Sequence, residues 1–315
     1  QLGVADESTF NTPVTPSRFF EYNGNPAAVR GVAARTEGNP LRAGTRARRS
    51  DRSVPYLSHA EGTLEFDVMT KGVGYWFKHM LGTVATTGAG PYTHTATEGA
   101  TSALVGKSFT AQMNYPFHPA GTNQSMTFSG GKVPSWSLTN DVEGMLTMSL
   151  NVWFASMTTG TALATPSYPA SMENFSWAGG VITIGGSAID VTNINVEVDN
   201  TQKVDSKAIR GNTASKEPTP GPLSITWGVE CDFDSLTQWN RVHGTTRAAT
   251  IASVVGTWTN GADTFTVTLP SARFDDHNFS GEAGSLGQSI TGVGEDDGTA
   301  SAPIELKLVS TDVTP

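Results

Sequence analysis

Apolar and polar positions alternate with a period of two along most of this chain. Leu64, Phe66 and Val68 alternate with Glu65, Asp67 and Met69, which predicts a half-buried strand. Phe109, Ala111 and Met113 do the same against Thr110, Gln112 and Asn114. Tyr92–Thr97 is short and rich in β-formers, Met126 and Phe128 open another strand, and Met145–Phe154 predicts a long one. In the second half Val181–Ile184, Ile189–Val198, Leu223–Val229, Ile251–Trp258, Phe265–Leu269 and Ile304–Val309 read the same way. A helical period occurs twice. Over Gly72–Leu81, Val73, Trp76, Phe77 and Met80 share one face and Gly82 supplies a stop. Over Ser235–Val242, Leu236, Trp239 and Val242 are three apart, with Asp234 as the expected N-cap and Gly244 as the stop.

The two helices anchor an internal repeat. Glu65–Gly82 and Glu230–Gly244 each read as strand, short helix with a central Trp, then Gly, and the tryptophans Trp76 and Trp239 lie 163 positions apart. Phe19–Tyr22 precedes a Gly/Pro-rich arm, as Val196–Val198 does before 199–222. Further strands follow each helix. A repeat of this length is a domain duplication rather than a solenoid. The expected division is 1–160 and 172–315, with the seam in the aperiodic Thr158–Ser171. Each unit is expected to be an antiparallel β-sandwich or barrel with one small helix over an opening or edge.

Composition supports the mainly β reading. Of 315 residues 70 are Ser or Thr, and charged residues are 16 %, which argues against a helix bundle. Cys231 is the sole cysteine, so no intrachain disulfide or Cys-rich zinc site is expected. No apolar run approaches the ~18 residues of a membrane helix, and no export leader is expected. The net charge of -9 is unevenly spread. Residues 30–52 carry Arg30, Arg35, Arg42, Arg46, Arg48, Arg49 and Arg52 against Glu37 and Asp51, a net +5, which leaves -14 elsewhere. With Gly38, Pro40 and Gly44 and no hydrophobic period, the segment reads as a long exposed arm. Guanidinium groups suit phosphate and carboxylate alike. A basic arm on an acidic body favours contact with another copy of the chain.

Catalytic motifs are absent. Gly106-Lys107-Ser108 lacks the earlier glycine of a P-loop and runs into a strand. Asp232 and Asp234 begin like a calcium loop, but position 237 is Thr and position 243 is His, so helix capping fits them better. Asp275, Asp276 and His277 fit a solvated turn or strand end better than a metal site. The seven tryptophans fit core positions better than a sugar platform. No enzyme, metal or cofactor is expected.

The early strand, the Arg/Gly arm, the Gly72–Gly82 Trp helix, Tyr92-Thr-His-Thr-Ala-Thr97, Gly106-Lys-Ser-Phe-Thr110 and Ser125-Met-Thr-Phe-Ser-Gly-Gly-Lys-Val133 resemble the tail tube proteins of bacteriophages with long, non-contractile tails. The resemblance spans most of residues 19–155 and reaches the second half through the repeat. It implies two tandem tail-tube-type domains that contribute strands to an intersubunit β-barrel ring. Six such domains close a ring, so three chains with pseudo-sixfold symmetry are expected, or six chains if the duplication is false. Stacked rings then form a conduit through which DNA passes without specific binding. The implied partners are the chain itself and other tail proteins, such as the tape measure and the tail terminator. The implied location is the virion tail, after synthesis in the host cytoplasm and with no membrane association. Arg35, Arg42, Arg46, Arg48, Arg49 and Arg52 are the expected inter-ring or intersubunit contacts, on an arm expected to order only on stacking. The alternative is a secreted or surface β-sandwich that binds carbohydrate through its tryptophans.

Overall fold

The computed structural model describes residues 1–23, 29–38, 44, 47, 49–117, 122–204, 206–282, 285–299 and 302–315. In chain order the earlier strands are β1 (Leu2–Glu7), β2 (Arg18–Phe20), β3 (Val29–Glu37), β4 (Ser53–Asp67), β5 (Gly82–Thr87), β6 (Tyr92–Glu98), β7 (Ser108–Phe117), β8 (Thr122–Asp141), β9 (Thr147–Phe154) and β10 (Ser156–Thr159). The later ones are β11 (Gly180–Ile184), β12 (Ser187–Ile189), β13 (Val191–Asp199), β14 (Ser224–Asp232), β15 (Ile251–Asn260), β16 (Asp263–Glu282), β17 (Ser285–Gly294) and β18 (Glu305–Ser310). The helices are α1 (Phe77–Met80), α2 (Thr237–Val242) and α3 (Arg247–Thr250). The fold is mainly β and its strand pairs are antiparallel.

Two long strands organise it. β8 and β16 are each 20 residues long, and each is shared between two layers. The first part of β8 lies between β7 and β10, and β7 continues to β1 and β2. Its later part pairs with β9, and the order runs on through β4 to β3. In the later strands the first part of β16 lies between β15 and β18, and β15 continues to β11 and β12. Its later part pairs with β17, and the order runs on through β14 to β13. The hairpin of β5 and β6 joins the outer side of β18. Where β8 changes layers, Gly130 has φ +68°, and a Cβ at Gly131 would sit 2.6 Å from the Phe109 carbonyl oxygen. The bend therefore requires glycine at both positions.

The core fills the space between the layers. Leu64, Phe66, Met148, Leu150, Trp136 and Leu138 point inward from one sheet and meet Trp76, Phe77, Phe109 and Phe128. The first sequence-predicted helix is a 3-10 turn over Val73–Trp76 that runs into α1, ending at Gly82 with φ +88°. Its Val73, Trp76, Phe77 and Met80 are all buried.

Several expectations need correction. α2 starts at Thr237, Asp234 does not cap it, and the Thr237 amide donates to Ser235 Oγ at 3.4 Å. Leu236 is 57 % exposed, and Trp239 is half-buried and stacks on His243 at 4.0 Å rather than entering the core. Asp232 lies within β14, so it caps nothing. Asp275, Asp276 and His277 lie within β16 and not in a turn. The start of the basic arm is strand β3, bonded along its length to β4.

Candidate conduit wall and assembly edges

The layer of β3, β4, β9 and β8 joins the layer of β13, β14, β17 and β16 edge to edge. β8 pairs with β13 from Ser135–Asp199 to Asp141–Asn193. One sheet therefore runs unbroken in the order β3, β4, β9, β8, β13, β14, β17, β16. A strand buried on one face alternates in burial, and β14 does so position by position. The inward face supplies the core. The outward face is polar across strand after strand.

Its rows can be followed through the register. One runs Glu65, Ser149, Ser137, Glu197, Thr226. The next runs Asp67, Thr147, Thr139, Asn195, Gly228, Thr291, Asp276. On the other side lie Thr63, Asn151, Ser135, Asp199 and Ser224. Short side chains bond across the strands: Thr63 Oγ1 donates to Asn151 Oδ1 at 2.8 Å, and Asn151 Nδ2 to Ser135 Oγ at 2.8 Å. Glu230 and Asp141 add carboxylates on β14 and β8. Cationic side chains on this sheet include Arg30 on β3, Lys132 on β8 and Arg273 on β16, and each of these three is matched by an acid, Glu61 at 3.2 Å, Glu217 at 2.6 Å and Asp275 at 2.6 Å. The face thus presents hydroxyls, amides and fixed negative charge.

The sheet has two ends. β3 pairs only with β4, and the end of β16 beyond Phe274 pairs only with β17, among the described residues. Beside that second end Phe279 is 51 % exposed and makes edge contacts with Phe233 and His277.

The sequence-predicted contact residues divide. Arg42, Arg46 and Arg48 lie outside the described residues. Arg35 is on β3 opposite Pro55, and Arg52 ends a 3-10 turn at the foot of β4. Arg49 forms a two-pronged pair with Asp51 at 2.8 and 2.6 Å within its own chain, so part of its charge is already matched. The second arm, between β13 and β14, folds back on the earlier strands. Asn200 Nδ2 donates to the carbonyls of Met80 and Val133, and Lys132 Nζ, almost wholly buried, meets Glu217 at 2.6 Å. Sequence reasoning missed this joint, because nothing local to either residue marks it.

A second buried polar group lies on α1 itself. His79 is buried and its Nε2 bonds Asp6 Oδ1 at 3.1 Å, while Lys78 also reaches Asp6. Burial pushes the His79 imidazole below its ordinary value against the pull of Asp6. Burial works to raise Asp6, but the bonds from His79 and Lys78 more than offset it and hold the carboxyl well below the usual range. Both folded values are depressed, so both groups favour the folded state at higher pH. Thermal stability is expected to fall as pH drops through ~6.5, where an unfolded His takes up a proton, and again below ~4 for Asp6. A His79→Gln variant, which keeps a donor to Asp6, should flatten the first step in a series of melts from pH 8 to 5. A melting temperature that rises on acidification contradicts this assignment.

Trp76, Trp136, Trp153, Trp227 and Trp258 are buried, so their faces cannot serve as a sugar platform. Among the described residues no cluster of three or more His, Cys, Asp or Glu could hold a metal. Among them too, no helix is long and apolar enough to cross a membrane.

The chain is thus a layered antiparallel β protein with open sheet edges and a broad polar face. The family model described as phage tail tube protein matches residues 1–305. The chain belongs to the phage tail tube protein family and is a structural component of the virion tail. Membership implies a non-enzymatic role, self-assembly into a tube and association with other tail proteins. A comparison with curated proteins finds no match.

Proposed function

We propose that this chain forms the rings of a long, non-contractile tail and that its polar sheet face lines the DNA conduit. The observation that carries this reading is the unbroken inner sheet of β3, β4, β9, β8, β13, β14, β17 and β16, apolar on one side and acidic on the other. A negative, hydroxyl-rich wall offers little cationic charge to displace the counterions held by the phosphates and repels them at short range, so duplex slides rather than sticks. Closing the sheet into a ring removes its two sticky edges.

The chain is read as two tandem tail-tube units, 1–160 and 172–315. What supports this is the matched pairing order: β2, β1, β7, β8, β10 against β12, β11, β15, β16, β18, and β3, β4, β9, β8 against β13, β14, β17, β16. The β5–β6 hairpin is then an insertion in the first unit. Six units close a ring, so three chains suffice. The basic arm, with Arg35, Arg42, Arg46, Arg48, Arg49 and Arg52, is read as the contact to neighbouring copies, head to tail between rings. Negative-stain electron microscopy of the concentrated protein tests this reading. Hollow rings or tubes with the mass of three chains per ring are expected. Uniform small particles at every concentration overturn it.

A further inference from the structure

The seam between β8 and β13 is a template for a contact the single chain cannot make. It joins the last strand of the first inner layer to the first strand of the second. The chain also carries an unmatched copy of each partner: the end of β16 is the last strand of the second layer, and β3 is the first strand of the first.

Register makes the correspondence residue by residue. Glu65 pairs with Ser149, which pairs with Ser137. Glu230 pairs with Ser289, which pairs with Asn278. Asn278 therefore stands in the second layer where Ser137 stands in the first. On the other side, Val29 lies opposite Gly62, three residues before Glu65, and Val196 lies opposite Trp227, three before Glu230. Val29 thus stands where Val196 does, and Arg30 where Glu197 does. At the seam Leu138 pairs with Val196, Ser137 with Glu197 and Trp136 with Val198.

We infer that the end of β16 pairs antiparallel with β3 of a second copy of this chain, with Phe279 opposite that copy's Val29, Asn278 opposite its Arg30, and His277 opposite its Gly31. The inference rests on the tube reading and deepens it by naming the strand edges and their register. The side chains fit. Phe279 takes the place of Leu138, which is 2 % exposed at the seam, whereas Phe279 in the lone chain is 51 % exposed. An apolar side chain left open on a sheet edge wants a neighbouring strand. His277 meets a glycine, which leaves room for its ring. Arg30, with a side chain 77 % exposed, comes diagonally within reach of Asp276, an opposite-charge cross-strand pair. The helix at this end leaves the strand edge open. α2 packs on β16 as α1 packs on β8, and β8 still pairs with β13.

The test is cysteine cross-linking in assembled tubes. Cα atoms opposite each other in an antiparallel pair are ~4.5–5.5 Å apart, within the range a disulfide spans. The only native thiol, Cys231, is buried. An Arg30→Cys/Asn278→Cys double variant is oxidised and run without reductant. The expected result is conversion of most chains to covalent oligomers ending at a closed trimer. Either single variant, and an Arg30→Cys/Ser280→Cys pair shifted by two positions, should give only traces. Wild-type protein supplies a readout that needs no variant: amide exchange at 29–32 and 276–281 should slow on going from free chain to tube. Tubes that show neither the cross-link nor the slowed exchange overturn the edge pairing and leave the tube reading intact. A chain that stays monomeric at every concentration overturns both.

Discussion

Glu7→Ala is expected to cost about 4 kcal/mol of stability, the net worth of several hydrogen bonds to a buried charged group. Glu7 is 5 % exposed. Its Oε1 accepts from Thr110 Oγ1 at 2.9 Å and the Gly130 amide at 2.8 Å. Its Oε2 accepts from Ser108 Oγ at 2.8 Å and the Asn11 amide at 2.9 Å. One carboxylate thus ties β1 to β7 and to the bend of β8. Alanine removes the acceptor and leaves the buried Gly130 N–H and the part-buried Asn11 N–H without this partner, the costly half of the exchange. Glu7→Gln should cost less, about 2 kcal/mol, because one amide oxygen still serves two donors while its NH2 confronts the others. Urea unfolding of the free chain measures both. A midpoint for Glu7→Ala that is unchanged at constant slope contradicts the assignment. Because the bend of β8 carries the strand from the outer layer into the wall, the alanine variant should also yield fewer tubes.

Reversing the wall charge should impair DNA delivery while leaving assembly intact. A Glu65→Lys/Glu197→Lys/Glu230→Lys chain keeps its core, since all three side chains are exposed on the polar face. In the proposed stacked rings these lysines would recur along the conduit, where each can hold a phosphate. A protein with ~6–10 phosphate contacts changes affinity by ~10³–10⁵ between low and moderate salt. DNA release from particles carrying the variant is therefore expected to slow by orders of magnitude at low salt and to recover as salt rises. The matching Glu→Gln triple should stay close to wild type. Timed DNA release from purified particles at several salt concentrations distinguishes them. Equal release by the lysine and glutamine variants at low salt would remove these residues from the conduit.

Period-two alternation made the strands legible wherever one face is buried and the other wet, as along β4, β9 and β14. It failed where that contrast is weak. β3 reads Val-Arg-Gly-Val-Ala-Ala-Arg, its burial is shallow in the lone chain, and its glycine and arginines looked like a loop. β17 is dominated by Ser, Gly and Thr and offered little apolar signal. Leu236 and Trp239 had helical spacing without burial, because spacing reports which residues share a face and not what covers it. The wall itself was beyond local reading. Glu65, Glu197 and Thr226 share a row only because strands far apart in the chain pair in one register. The chemistry was legible in a coarser sense. An acidic, hydroxyl-rich chain with one basic arm already pointed toward self-association, and the family match agrees with that direction.

The most direct measurement is an electron cryo-microscopy reconstruction of the assembled protein at a resolution that traces strands. The account predicts a hollow tube with three chains per ring, the β8–β13 seam on the inner wall, and Glu65, Glu197 and Glu230 facing the lumen. A tube whose lumen is lined instead by β15, β11 and β12, or one in which this acidic face points outward, would contradict it.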